Sequence, residues 1–212
     1  RQPKVWNPRD YDGQVQYYNA FENVDISQGE WLVMASTNYM LNDMHDWIKS
    51  QGLIFERQGQ RSISETILTA VLGWESLGTE FVKKGHKPLK DADPERSYSL
   101  ETLQKDHGLL TNLIWHEALT KIGEEKRDYI IALLRRGTRI TGKIPIKLST
   151  IHGAKGGEAD NVLLLTDLSP KFAKDYEKNA DDIHRLFYVG ITRARQSLHI
   201  VLPKDKQKGF RL

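Results

Sequence analysis

The pattern of apolar and polar positions first indicates a strand followed by two helices. Trp31–Ala35 is an unbroken apolar run of strand length, and the next apolar positions recur at helical spacing until Gly52. Those positions are Met40, Leu41, Met44, Trp47 and Ile48. A second helix is predicted from Ser62, because Glu65 would complete a capping box with it. Its apolar stripe is Ile63, Ile67, Leu68, Val71 and Leu72.

Between about residues 75 and 143 the strand signals vanish. Charged residues are dense from 83 to 95, around Pro88 and Pro94, which predicts a loop. Helical spacing follows around Leu100 and Leu103 and again from 113 to 136, with a break near Gly123. The segment 76–143 is therefore predicted to be a short helical insertion.

Strand signals return in the last third of the chain. Ile144, Ile146 and Leu148 alternate with polar residues, and residues 162–165 form the apolar run expected of a parallel strand covered on both faces. A helix is predicted from about Asp181, with a last strand at 198–202. The apolar side of that helix is Ile183, Leu186, Phe187 and Ile191. Strands alternating with helices predict an α/β domain with a mainly parallel sheet, built from residues 1–75 and 144–212.

Composition narrows the class of protein only moderately. Of 212 residues, 39% are hydrophobic and 28% charged, as in ordinary globular domains, and no apolar run is long enough to cross a bilayer. A net charge of +3 is compatible with nucleic-acid binding without establishing it. The absence of cysteine excludes disulfides and thiolate metal sites. Since the chain opens at Arg1 without a signal-peptide pattern, we expect it to be an internal or C-terminal piece of a longer protein.

One apparent phosphate-binding loop is rejected on its context. Residues 137–143 have two glycines and a lysine at the right spacing, but Ile144 stands where a magnesium-binding Ser or Thr is needed. A phosphate loop follows a strand and opens a helix, whereas here a helix precedes and a strand follows. The sequence thus offers no primary nucleotide-gripping loop.

Two other segments group residues suited to phosphate chemistry. Residues 150–160, Thr-Ile-His-Gly-Ala-Lys-Gly-Gly-Glu-Ala-Asp, lie between two predicted strands, and we expect them at the carboxyl ends of strands, where open α/β sheets bind ligands. Residues 185–195 form a helix that ends in Thr-Arg-Ala-Arg before a strand. An arginine there can place its planar fork on a transferring phosphoryl group. Taken singly, the first could be a solvated loop and the second a capped helix end.

Together the two segments resemble motifs V and VI of superfamily 1 helicases of the UvrD/Rep type. Motif V reads roughly Thr-x-His-x-x-Lys-Gly-x-Glu and motif VI Tyr-Val-x-x-Thr-Arg-Ala, and both occur here in order. Residues 32–38 are similar to motif IV, and 58–77 resemble the amphipathic stretch that follows it. The resemblance covers about 29–77 and 144–202, and the insertion occupies the place of the family's 2B subdomain. It implies a second RecA-like (2A) domain.

The resemblance also implies site residues. Arg193 corresponds to the arginine finger on the γ-phosphate of ATP, and Gly157 and Glu158 to contacts with the nucleotide. Single-stranded DNA is expected at Thr150 and His152, and also at Lys155, whose role is the least defined. These last three positions all precede the nucleotide contacts in motif V.

Motif IV departs from the family pattern at Ser36. The family usually has an arginine there that also reaches the γ-phosphate. Ser36 and Arg195 are therefore expected in the ATP site, with Arg195 or Arg57 as the replacement arginine, unless Arg193 acts alone.

The implied activity is that of an ATP-driven motor on single-stranded DNA and duplex junctions. ATP with Mg²⁺ would be held mainly by an N-terminal RecA-like domain of the same protein, with no metal site in this chain, no membrane contact and a cytoplasmic location. The Lys155-Gly156 pair favours 3′-to-5′ movement, because the 5′-to-3′ RecD/Dda type usually has Gln-Gly. The other hypotheses are a docking module without catalysis and a helicase domain of a helicase–nuclease.

Overall fold

The computed structural model describes residues 10, 12–77, 99, 101–102, 105 and 113–210. The chain divides into two compact units, Arg1–Gly59 with Lys143–Leu212, and Gln60–Gly142. The strands are β1 (Gln14–Tyr18), β2 (Trp31–Ala35), β3 (Phe55–Arg57), β4 (Gln60–Arg61), β5 (Ile146–Thr150), β6 (Ala159–Leu165) and β7 (Ala194–Val201). The α-helices are α1 (Asn42–Ser50), α2 (Glu65–Leu77), α3 (Trp115–Ala118), α4 (Glu124–Arg135), α5 (Pro170–Lys178) and α6 (Ala180–Ile191). Short 3₁₀ turns lie at Phe21–Asn23, Tyr39–Leu41 and Lys206–Lys208.

The first unit is built on a parallel sheet. The six strands of this unit follow the order β1-β7-β6-β2-β5-β3, and the pairings between them run parallel. β2 is the innermost buried strand, with β6 on one side and β5 on the other. The predicted α/β class with a mainly parallel, helix-flanked sheet is therefore confirmed.

One face of this sheet packs against α5 and α6. Side chains from β2, β6 and β7 meet the buried side of α6, and Phe187 is fully buried there in a parallel stack with Phe210 at a centroid distance of 4.0 Å. Gly190 lies at the closest approach, where a Cβ would be 3.2 Å from Leu164 Cδ1 and the leucine side chain would have to shift slightly. The apolar stripe predicted for this helix is thus its packing face.

The opposite face is covered by α1. Because side chains alternate along a strand, Trp31 and Phe55 point away from the α6 side. His45 of α1 meets the Phe55 ring edge-on at 4.7 Å, and Met44 and Ile48 are fully buried. With both faces covered, β2 is apolar throughout and β6 is apolar from Val162 to Leu165, as their sequence predicts.

The second unit contains α2, α3 and α4. The break predicted near Gly123 is confirmed, because Gly123 is the N-cap residue of α4. The capping box expected at Ser62 is wrong, because α2 begins only at Glu65. The Ser62 hydroxyl instead accepts a hydrogen bond from Tyr129 at 2.8 Å. Burial raises the pKa of Tyr129 to about 12, and the bond with Ser62 offsets part of that rise.

Residues 137–143, which were rejected as a phosphate loop, connect the end of α4 to β5. After α4, Gly137 takes a positive φ of 69°, and its N–H and that of Thr138 donate to the carbonyls of Leu134 and Leu133. That is the hydrogen-bond pattern of a helix that ends on a left-handed glycine. β5 then begins at Ile146, so the helix-to-strand context predicted for this segment is confirmed.

Some expectations fall outside the described residues. They include the loop at 83–95 and the helical positions Leu100 and Leu103. Because much of 76–112 lies there, the predicted domain limits at 75 and 143 stay a prediction. Within the described part of the chain, no helix is long and apolar enough to cross a membrane.

Candidate nucleotide and nucleic-acid site

The connection 151–158 runs along the sheet from the carboxyl ends of its strands to their amino ends. It leaves β5 at Thr150, on what we call the carboxyl edge, where the parallel strands end, and it enters β6 at Ala159, on the amino edge, where they begin. The expectation that all of 150–160 lies at the carboxyl edge is therefore wrong. Since β5 and β6 are parallel and flank β2, their connection must return from one edge to the other. It divides the predicted residues between two places.

Local hydrogen bonds shape this connection. The Ala154 N–H donates to the Thr150 carbonyl at 2.9 Å, which makes one helical turn, and the Gly153 N–H donates to the Thr150 hydroxyl at 3.0 Å. Ile151 and Ala154 are buried in the core below α6, and Gly156 turns the chain with a φ of 79°. Thr150 therefore has a structural use as the cap of this turn, besides any contact with a ligand.

His152 and Lys155 lie on the outer side of the turn, where both are exposed. They line a cleft of about 550 Å³ bounded by α5 and α6. Lys178 and Arg185 line the same cleft, together with Asp175 and Asp182. Sequence reasoning missed these residues, because they lie on helices distant along the chain from motif V.

Arg193 lies at the amino edge, in the turn between α6 and β7. Its Nε donates to the Val189 carbonyl at 2.9 Å, its Nη2 to the Thr192 hydroxyl at 3.1 Å, and its Nη1 lies 3.5 Å from the Gly157 carbonyl. The first bond caps the end of α6, as the plainer interpretation of this arginine expects. A guanidinium has five N–H donors, so these bonds leave donors for a ligand.

Gly157 and Glu158 lie beside Arg193. Both are exposed, and the backbone N–H of the next residue, Ala159, donates to the Arg193 carbonyl at 3.2 Å. The end of motif V and the end of motif VI are thus joined by main-chain and side-chain bonds. Arg193, Gly157 and Glu158, all predicted to contact the nucleotide, therefore lie together at this edge.

Arg195 lies at the same edge, at the start of β7, and is held by two carboxylates. Its Nε donates to Asp160 Oδ1 at 3.0 Å and its Nη2 to Glu30 Oε2 at 2.9 Å. Glu30 also binds Lys143 Nζ at 3.1 Å. Neither carboxylate was singled out from the sequence, because neither belongs to the recognised motif pattern.

Ser36 lies at the other edge. It follows the end of β2 and is buried, and its hydroxyl donates to the Asp167 carbonyl at 3.1 Å. Arg57 also lies at the carboxyl end of its strand, where it donates to the Asn38 carbonyl at 2.7 Å. The structure does not bring Ser36 or Arg57 to Arg193. β2, β3 and β7 run parallel, and Ser36 and Arg57 lie at the carboxyl ends of β2 and β3, whereas Arg193 lies at the amino end of β7.

The carboxylates near Arg193 are not grouped as metal ligands in the described part of the chain. Within the described ranges, no group of three His, Asp or Glu side chains is arranged to hold a metal ion. Asp160 and Glu30 at this edge are paired with Arg195, and motif V adds Glu158, whose single carboxylate does not by itself make a magnesium site. The residues present fit a contact with the nucleotide better than a primary metal site.

The comparison with protein families identifies the segment that carries both motifs. Residues 104–205 match the UvrD-like helicase C-terminal domain. The match includes the connection 151–158, α6 and Arg193, and it leaves out the segment that resembles motif IV. No curated protein matches the chain. The chain therefore carries a UvrD-like helicase C-terminal domain, in the UvrD-type branch of the superfamily 1 helicases.

Proposed function

We propose that this domain completes the ATP site of a helicase that moves on single-stranded DNA in the 3′-to-5′ direction. The observation that supports this most is the grouping of Arg193, Gly157 and Glu158 at one edge of the sheet, with Arg193 Nη1 3.5 Å from the Gly157 carbonyl. ATP and Mg²⁺ would be bound mainly by a first RecA-like domain, against which this edge would close.

Arg193 would act on the γ-phosphoryl group. Charge on the phosphoryl oxygens spreads in the transition state, and a planar guanidinium can meet two of them at once. Its bonds to Val189 and Thr192 fix the direction of the fork before ATP arrives. Such preorganised donors stabilise the transition state more than the ground state. Glu158 would contact the nucleotide beside it.

The DNA strand would lie on the other half of the connection, along His152 and Lys155. Lys178 and Arg185 line the same cleft, and together with Lys155 they outnumber its two aspartates, Asp175 and Asp182. Closing and reopening of the ATP site would then alter the hold on DNA through residues 151–158, which reach both places. The Lys155-Gly156 pair supports the 3′-to-5′ direction through its resemblance to the UvrD/Rep motif.

Substitution of Arg193 in the full-length helicase tests this function. Arg193→Ala should lower kcat for ATP by about 10³-fold or more with a smaller change in ATP affinity, because the contact is made mainly in the transition state. Arg193→Lys should rescue poorly, since a point charge does not reproduce the fork. The chain by itself should not turn over ATP, and a folded Arg193→Ala helicase with kcat within a few-fold of wild type would refute the assignment.

Ser36 favours one rival function, a RecA-like module that docks DNA or protein without catalysis. It stands where the family usually has an arginine. Magnesium- and DNA-dependent ATP turnover by the full-length wild-type protein would exclude this rival, and its absence would support it.

A further inference from the structure

Arg195 joins the first residues of three neighbouring strands. It is the second residue of β7, its partner Asp160 is the second residue of β6, and its partner Glu30 directly precedes β2. Main-chain and amide bonds reinforce the same place, because the Asn161 N–H and its side-chain amide both donate to the Glu30 carbonyl, at 3.0 and 3.3 Å. Arg195, Asp160 and Glu30 thus form an ion-pair cluster at the amino edge, which we call the cross-tie.

This cross-tie is next to the Arg193 turn. Asp160 follows Ala159, whose N–H holds the Arg193 carbonyl, and Arg195 follows the turn on the other side. Any slip of β7 against β6 would therefore move Arg193 relative to Gly157 and Glu158. A displacement of about 1 Å in a catalytic group can cost on the order of 100-fold in rate.

We propose that Arg195 is a positioning residue, which acts through Asp160 and Glu30 to hold Arg193 in place and does not itself bind the nucleotide. This inference rests on the proposed function of Arg193. It differs from the sequence-based expectation, in which Arg195 contacts ATP. Two carboxylates at 2.9 and 3.0 Å already neutralise its fork, and they would repel a phosphate brought to it.

The two roles predict opposite effects when the carboxylates are neutralised. If Arg195 is a phosphate ligand, then Asp160→Asn with Glu30→Gln frees it and should tighten ATP binding. If Arg195 is a positioning residue, the same double variant loosens the Arg193 turn and lowers kcat. The effect on stability is small in either case, since Arg195 and Asp160 are more than one-third exposed and water screens the pairs.

The experiment measures kcat and KM for ATP, with saturating single-stranded DNA, in the full-length helicase. Arg195→Ala and the double variant Asp160→Asn/Glu30→Gln should each lower kcat by about 10- to 100-fold, with KM within a few-fold. Arg195→Lys, which keeps one ion pair, should lose less. Added to Arg193→Ala, neither change should lower kcat further, because both act through Arg193.

Asp43→Asn is the matched control. It removes a comparable ion pair, with Lys204 at 3.2 Å, that lies at the other edge of the sheet and is well exposed. Its kcat should equal that of wild type, and melting temperatures should show that all variants are folded.

Several outcomes would overturn the inference. A raised KM with unchanged kcat in Arg195→Ala, tighter ATP binding in the double variant, or unchanged kcat in both would each do so. If Arg193→Ala lowers kcat while these variants do not, only the positioning role fails. If Arg193→Ala itself has no effect, the proposed function fails and the positioning role fails with it.

Discussion

The charged side chains around the two ends of the connection 151–158 differ in how many hydrogen bonds hold them. At the amino edge, Arg193 and Arg195 donate to carbonyls, a hydroxyl and two carboxylates. At the other end, His152 and Lys155 are exposed beside an open cleft. Phosphoryl transfer needs donors that are fixed in advance, whereas a motor must repeatedly bind and release its track. Hydrogen-bonded arginines at the amino edge and exposed side chains at the carboxyl edge fit the separate roles proposed for the two ends.

The largest effect is expected from removing the buried side chain that supports the amino edge. Phe187→Ala should lower the free energy of unfolding by about 3–5 kcal/mol, because it empties a fully buried aromatic site under the helix that carries Arg193. Tyr188→Ala is the control on the same helix. Its side chain is 58% exposed, so its truncation should cost less than about 0.5 kcal/mol. Urea unfolding measures both, and equal losses would show that α6 is not held through Phe187.

A second prediction concerns the contact of Lys155 with single-stranded DNA at the carboxyl edge. Lys155→Ala should weaken binding of single-stranded DNA by a few-fold and reduce the slope of log K against log salt by about 0.7, the value for one phosphate contact on a single strand. Fluorescence anisotropy across a salt series measures the slope. Lys49→Ala is the control, because Lys49 lies on α1, on the opposite face of the sheet. An unchanged slope in Lys155→Ala would remove this lysine from the DNA surface.

The smallest predicted effect concerns a residue between the two edges. Burial lowers the pKa of His199, in β7, below the ordinary histidine value of 6.5. The unfolded chain therefore takes up this proton more readily, so the native state loses stability as the pH falls below about 6.5. His199→Gln should show a flatter decline in melting temperature between pH 7.5 and 5.5 than wild type. A steeper decline in the variant would contradict the burial effect.

The sequence predicted the fold well where local patterns suffice. Buried parallel strands read as apolar runs, so β2 and β6 were recognisable, and α6 was recognisable from its apolar stripe. The short strands β1 and β3 were not predicted. β1 is mostly exposed, and β3 has only three residues, so neither shows a clear pattern.

The sequence predicted some residues of the candidate site but not their arrangement. Motif spacing identified Arg193 and Glu158, yet it could not show that Thr150 and Glu158 lie at opposite edges. That separation depends on β5 and β6 flanking β2, which is a property of strand order. Glu30 was equally invisible, because its partner Arg195 lies far along the chain and pairs with it only through the sheet.

The most direct test of the division of labour is to measure two quantities in two variants of the full-length helicase. For Arg193→Ala and His152→Ala, both kcat for ATP at saturating DNA and the Kd for single-stranded DNA are determined. We predict that Arg193→Ala loses about 10³-fold in kcat with nearly wild-type DNA affinity. We predict that His152→Ala weakens DNA binding while keeping kcat within a few-fold once DNA is saturating. If both variants change the same quantity to the same extent, the two ends do not have separate roles.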